Sequence, residues 1–146
     1  MTDMGTATRK VGAAVGASLM VAAASATVGQ ATAHAEPDGQ QVTYTITTAG
    51  PAEFDLFYLT AQPPSKDAYN ADPYSYVKRE SVTVVPGAPW VVNTTLADPQ
   101  WAILTVSSTT HGGQAAPNPH CEIAIDGQIA VQQDGPYNLQ CQLGQW

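Results

Sequence analysis

The stretch VTYTIT, which follows Gln41, alternates between two kinds of side chain. Val42, Tyr44 and Ile46 fall on one side of an extended chain, and the three intervening threonines fall on the other. All six residues are β-branched or aromatic, which are the types that strands favour. This stretch therefore predicts a β-strand with one buried face.

Proline- and glycine-rich breaks divide the rest of the chain at intervals of about ten residues. Four further strand-like runs lie between the breaks, namely AEFDLFYLT, SYVKRESVTVV, PWVVNTTL and QWAILTVSS. No run of about 10 to 12 residues shows the 3.6-residue periodicity of an amphipathic helix. We predict an all-β fold, a sandwich or barrel of about seven or eight strands.

The first 35 residues have the composition of an export signal. Arg9 and Lys10 precede an uncharged stretch rich in Ala, Gly and Val. This stretch ends in AHA, which resembles the small-residue cleavage site of a signal peptide. A membrane anchor is the alternative, but polar residues dilute the run of about 20 apolar residues that a span needs. We expect a signal peptide over 1–35, no stable membrane span after its cleavage, and an exported protein, either secreted or held in the extracytoplasmic cell envelope.

Residues 36–146 would remain after cleavage, a normal length for a single domain with one hydrophobic core. They carry three positive and eleven negative side chains, and therefore a formal net charge of −8. An acidic surface repels the phosphate backbone of nucleic acids. We therefore expect no nucleic-acid partner.

Two cysteines, Cys121 and Cys141, enclose the segment CEIAIDGQIAVQQDGPYNLQC. Cys121 shares the inward phase of Ile123, and Cys141 shares that of Leu139 and Leu143. In an exported domain such a pair is most simply a disulfide. A closed loop of about 20 residues would stabilise the fold by roughly 3 kcal/mol. The first and third strands of a flat meander lie roughly 10 Å apart, which is too far for a disulfide. The last strand is therefore expected to cross to a facing sheet.

The turn inside this segment contains Asp126 and Gly127. A two-residue loop would place Ile123 and Ile129 on opposite faces of the hairpin and would split the apolar set. A three-residue loop, Ile125-Asp126-Gly127, pairs Ile123 with Ile129 and leaves Gly127 at a left-handed position. We predict the three-residue loop.

His120 directly precedes Cys121, a juxtaposition that also occurs in metal sites and Cys-His nucleophiles. A metal ion needs three or four ligands, whereas both cysteines point inward and His111 lies on a glycine-rich loop. A nucleophile needs a free thiol, which an oxidising compartment disfavours. We predict a structural disulfide, no metal ion, no cofactor and no catalytic residues.

Several stretches together resemble the small mycobacterial membrane-protein family MmpS. They are VTYTI at 42–46, PAEFDLFYL at 51–59, PW at 89–90 before a threonine-rich strand, and CEIAIDGQI at 121–129 with one later cysteine. The resemblance covers most of residues 40–143. It implies an immunoglobulin-like antiparallel β-sandwich with one disulfide, which acts outside the membrane as an accessory to a transporter that exports lipids or siderophores.

The expected function is that of an exported, non-catalytic binding or accessory module of the cell envelope. Its expected partner is an envelope transporter, or a lipid or siderophore ligand. The candidate binding loop is the connection at 63–80, where Tyr69, Tyr74 and Tyr76 combine apolar area with hydrogen-bonding tips. Packing of these three rings onto the sheet is the alternative.

Two other functions stay open. A small secreted hydrolase would use carboxylates, drawn from Glu53, Asp55, Asp67 and Asp72, together with a histidine. Two such carboxylates, or one carboxylate and His111, meeting in a cleft with perturbed pKa values would favour that function. The other is a secreted protein that binds a host or cell-wall partner.

Overall fold

A computed structural model describes residues 39–146 of the chain. The predicted signal peptide, residues 1–35, and its cleavage site lie outside the described residues. Among the helices of the described part, none is long and apolar enough to cross a membrane.

Eight strands carry the fold, at the upper end of the predicted number. Their bounds are β1 Gln40–Thr48, β2 Ala52–Leu59, β3 Val77–Val84, β4 Trp90–Leu96, β5 Ile103–Ser108, β6 Pro119–Ile125, β7 Gln128–Asp134 and β8 Asn138–Gln142. A short helix, α1 (Lys66–Ala71), and two 3-10 turns, Pro73–Ser75 and Pro99–Trp101, lie between strands. The sequence predicts no helix, because the six residues of α1 are too few to display a helical period.

The strands form two antiparallel sheets of four strands, which confirms the predicted β-sandwich. Sheet A has the order β4-β1-β6-β7, and sheet B has the order β3-β2-β5-β8. The final strand therefore leaves the β6–β7 hairpin for the facing sheet, as the cysteine spacing predicts. Cys121 and Cys141 form the predicted disulfide between β6 and β8, with 6.2 Å between their Cα atoms.

The core lies between the sheets and is built by the inward residues of each strand. On β1 these residues are Val42, Tyr44 and Ile46, all fully buried, as the alternation predicts. The buried hydroxyl of Tyr44 donates a hydrogen bond of 2.8 Å to the carbonyl of Leu59. Large side chains fill the space between the sheets, so a ligand would meet the outer faces or the loops.

The β6–β7 turn differs from the three-residue loop that the sequence predicts. Ile125 pairs with Gln128, which leaves a loop of only Asp126 and Gly127. Both loop residues have positive φ, 49° and 86°, as a type I′ turn requires. The Asp126 carboxylate also accepts a 2.9 Å hydrogen bond from the backbone nitrogen of Gln41, so the turn is attached to β1.

A β-bulge in the same hairpin explains why the predicted pairing is wrong. The register shifts between Ile123 and Ala124, so that Ile123 faces Val131 and Ala124 faces Ile129. The shift keeps Ile123 and Val131 on the inner side and places Ile129 outside, where 55% of its surface is exposed. Simple alternation cannot foresee this outcome, because a bulge adds one residue to a single strand.

Candidate functional site

Two of the three tyrosines in the candidate binding loop pack against the body of the sandwich. The Tyr69 ring lies 4.9 Å from the Trp146 ring and 6.1 Å from the Trp101 ring, measured between centroids. The Tyr76 ring lies 6.4 Å from the Tyr69 ring. Burial raises the pKa of the Tyr69 hydroxyl above its ordinary value. Tyr69 and Tyr76 therefore have the packing role that the sequence left as an alternative.

Tyr74 differs from its two neighbours, because 65% of its surface is exposed. Its ring lies beneath the guanidinium of Arg79, with 5.2 Å between the guanidinium carbon and the ring centroid. The same guanidinium lies 5.5 Å from the centroid of Phe57, the residue directly opposite Arg79 on β2. Two aromatic rings thus hold this cation in place by cation–π attraction.

The stacked arginine has no carboxylate partner among residues 39–146. The salt bridges of that range join Lys78 to Glu80 and His120 to two acids, and none involves Arg79. A guanidinium carries five N–H donors, and in the described chain none of those of Arg79 is paired with an acid. Arg79 is therefore a cation that lies against two aromatic rings and whose N–H donors are available to a ligand.

Arg79 lies in an open trough of about 670 Å³ on the outer face of sheet B. Two rows of paired residues cross the strands here. In one row Arg79, Phe57 and Thr105 are neighbours; in the other Ser81, Asp55 and Ser107 are neighbours. The Ser81 hydroxyl donates a hydrogen bond to the Asp55 carboxylate. We call this surface the Arg79 trough. Its lining residues are Asp55, Leu56, Phe57, Arg79, Glu80, Ser81, Thr105 and Ser107.

A second acid, Glu80, lines the trough, but its carboxylate already pairs with Lys78. The Glu80 carboxylate accepts a 2.6 Å hydrogen bond from the buried Tyr58 hydroxyl and lies 3.3 Å from the Lys78 ammonium. The Tyr58 hydrogen bond lowers the pKa of Glu80, burial opposes this effect, and Lys78 adds to it. Glu80 thus closes a structural network at the edge of sheet B.

The carboxylates of the hydrolase hypothesis are distributed over three places. Asp55 lies in the Arg79 trough, Asp67 lies in the first turn of α1, and Asp72 is the residue after that helix. Glu53 lines a separate recess of about 630 Å³, which His111 also lines. Glu53 and His111 therefore line a common recess, whereas Asp55 lies in a different place from Asp67 and Asp72.

His120 and Cys121 do not form a joint site, because Cys121 points into the core and His120 points outward from sheet A. The Nδ1 atom of His120 lies 2.9 Å from the Asp134 carboxylate, and Nε2 lies 3.0 Å from the Glu122 carboxylate. Both ring nitrogens are thus occupied by acids. Within the described chain, no cluster of three or more His, Cys, Asp and Glu side chains is arranged to hold a metal ion.

Sequence reasoning missed Arg79 and Phe57 as site residues. Alternation along β2 places Asp55 and Phe57 on the same outer face, which is a usable signal. The contact between Phe57 and Arg79 depends on the β2–β3 register, and the contact between Arg79 and Tyr74 depends on the 3-10 turn before β3. Neither the register nor the position of the turn can be derived from local periodicity.

Comparison with known proteins places the sandwich in a family. Residues 44–141 match the model of the family described as Rv2576c beta-sandwich domain. Similar proteins include uncharacterized protein Rv2576c of Mycobacterium tuberculosis (strain H37Rv) and uncharacterized protein Mb2606c of Mycobacterium bovis. Each is 42% identical to this chain over 142 residues, which cover 97% of this chain and 90% of the relative. The matched range extends from β1 to the second cysteine of the disulfide, and the chain therefore belongs to the Rv2576c β-sandwich domain family.

Proposed function

We propose that this protein is an exported, non-catalytic binding module of the cell envelope. The observation that carries the proposal is Arg79, which lines the Arg79 trough, lies over Phe57 and Tyr74, and has no acid partner among the described residues. Ordering a long side chain normally costs free energy when a ligand binds, and the two rings remove part of that cost beforehand. The module would bind its ligand on the outer face of sheet B.

The finer part of this proposal is an accessory role in the export of a lipid or siderophore. Its support is the resemblance of four stretches to the MmpS family, together with the mycobacterial origin of the relatives. In this role, the Arg79 trough would contact either the exported molecule or the extracytoplasmic domain of its transporter.

Capture from envelope extract tests the binding function. The full-length oxidised protein is used as bait, and bound lipids and proteins are both identified by mass spectrometry. We expect at least one ligand that wild type and Lys66→Gln enrich equally and that Arg79→Gln loses. Lys66→Gln is the matched control, because it removes the same charge from α1, outside the trough. Equal enrichment by all three proteins would contradict a function based on the trough.

Export itself is tested by the N-terminus of the protein recovered from cells and medium. We expect mass spectrometry to find a chain that begins at or near Glu36. An intact leader in the membrane fraction would contradict cleavage and would favour an anchored accessory protein.

A small hydrolase is the second candidate function, favoured by one observation. Glu53 and His111 line the same recess, which also contains Thr109 and Gln114. Turnover of ester or glycoside substrates that Glu53→Gln abolishes, while capture by the Arg79 trough is unchanged, would favour the hydrolase over the binding module.

A further inference from the structure

The guanidinium of Arg79, which no acid among the described residues pairs with, is suited to an oxygen anion with a planar fork. A guanidinium presents paired N–H donors that match both oxygens of a carboxylate, which gives two parallel hydrogen bonds. The guanidinium carbon of Arg79 lies 5.5 Å from the centroid of Phe57 and 5.2 Å from that of Tyr74, and no acid of residues 39–146 pairs with its N–H donors.

The rest of the trough offers neutral groups that both donate and accept hydrogen bonds. Thr105 lies in the row of Arg79, while Ser81 and Ser107 flank Asp55 in the next row. Both rows continue onto β8 with amide side chains, Gln140 beside Thr105 and Asn138 beside Ser107. Hydroxyl, amide and carboxylate groups that lie this close together can form several hydrogen bonds to a ligand that carries many hydroxyl groups.

The distance between the rows agrees with a ligand of this kind. Residues two apart on a strand are separated by roughly 6.8 Å. One sugar ring with its substituents can span that distance, so a single residue of a saccharide can contact Arg79 in one row and Asp55 in the other.

The charges of the surface limit the ligand to one anionic group. Arg79 is the single cation among the lining residues of the trough, whose two acids are Asp55, in the adjoining row, and Glu80. A phosphate monoester carries about −1.5 to −2 charges at neutral pH, and would meet more repulsion from Asp55 than a carboxylate does. The net charge of −8 over residues 36–146 disfavours polyanions further.

We propose that the Arg79 trough binds a saccharide residue that bears one carboxylate, a sugar of the uronic-acid class. Its carboxylate pairs with Arg79, and its hydroxyl groups bond to Asp55, Ser81, Thr105 and Ser107. This inference rests on the proposed binding function and names the ligand class of the same site.

Titration of the full-length oxidised protein, followed by NMR or calorimetry, tests the inference. The probes are methyl glucuronide and methyl galacturonide, with methyl glucoside and methyl galactoside as neutral counterparts and inorganic phosphate as the alternative anion. We expect one uronide to bind with an affinity in the millimolar range or better, at least tenfold more tightly than its neutral counterpart and than phosphate.

Variants assign the binding to the trough. Arg79→Gln should weaken uronide binding at least tenfold and should bring it to the level of the neutral glycoside. Arg79→Lys should restore little of it, because an ammonium lacks the planar fork. Lys66→Gln should bind the uronide as wild type does. An unchanged melting temperature of Arg79→Gln shows that the loss does not come from unfolding.

Each contrary outcome has a distinct meaning. Equal affinity for a uronide and its neutral counterpart, tighter binding of phosphate, or equal losses in Arg79→Gln and Lys66→Gln would overturn the inference. If neither uronide binds but Arg79→Gln still loses an envelope ligand, the sugar class is wrong and the binding function stands. If Arg79→Gln affects neither measurement, both proposals fail.

Discussion

The outer faces of the two sheets use their charged side chains in opposite ways. On sheet A, His120 lies between Glu122 and Asp134, so acids of the same face occupy both of its ring nitrogens. On sheet B, Arg79 is held by two aromatic rings, and no acid among the described residues pairs with it. A charge that its own face satisfies contributes to stability, whereas a fixed charge without a partner is available to a ligand.

The disulfide joins these two sheets, and its removal is the largest expected perturbation. Cys121 and Cys141 are fully buried, so replacing both by serine removes the cross-link and buries two hydroxyls. We expect a loss of roughly 2 to 5 kcal/mol in the free energy of unfolding, measured by urea denaturation. The unfolding free energy of a typical domain is about 5 to 15 kcal/mol, so this loss would threaten the folding of both sheets.

Peptide mapping without reductant provides the control for this prediction, and should show Cys121 joined to Cys141. Two reactive thiols in the native protein, or unchanged stability of the double variant, would contradict the structural role of the bond.

Substitutions of two tyrosines in the 63–80 connection distinguish the packed region from the open face of sheet B. Tyr69→Ala should cost about 2 kcal/mol of stability, because it removes a half-buried ring from contact with Trp101 and Trp146. Tyr74→Ala should change stability by less than about 0.5 kcal/mol, yet should weaken ligand binding in the Arg79 trough. Thermal unfolding and ligand titration of both variants check this prediction, and the reverse assignment of effects would refute it.

The register of the β6–β7 hairpin decides which residues meet on the face of sheet A. Gly127 has a φ of 86°, and the space that a Cβ atom would occupy there is open, so Gly127→Ala should cost about 1 kcal/mol through backbone strain alone. Gly50→Ala is the matched control, because Gly50 also has open space but no positive φ. Equal unfolding energies for the two variants would contradict the type I′ turn.

The smallest expected effect is the pH dependence that His120 contributes. Partial burial lowers the pKa of His120, and the hydrogen bonds to Glu122 and Asp134 outweigh it, so the pKa lies above its ordinary value. The stabilisation is fully present below the unfolded-state pKa of about 6.5 and is lost as the pH rises through the folded-state pKa.

Its magnitude should be below about 1 kcal/mol, as for other surface ion pairs. Thr47 faces His120 from β1 and does not titrate, so the two acids dominate the effect. Urea denaturation of wild type and His120→Gln between weakly acidic and weakly alkaline pH measures it. Parallel pH profiles of the two proteins would show that His120 contributes nothing.

The sequence by itself determined the fold class and the disulfide. Val42, Tyr44 and Ile46 alternate with threonines, and this local period is sufficient to predict which face of β1 is buried. The cysteine pair could be predicted because both members share the inward phase. Their spacing also required β8 to leave the hairpin, since bridged Cα atoms cannot lie two strands apart in one sheet.

The tertiary structure decided which polar side chains meet. Arg79 contacts Phe57 because of the β2–β3 register, and His120 contacts Asp134 because of the β6–β7 register. One inserted residue in a strand reverses the face of every residue beyond it. Ile129 shows this, because it is exposed where simple alternation predicts an inward position. Local periodicity defines which residues share a face on one strand, but only the pairing between strands defines the neighbours from which a site is built.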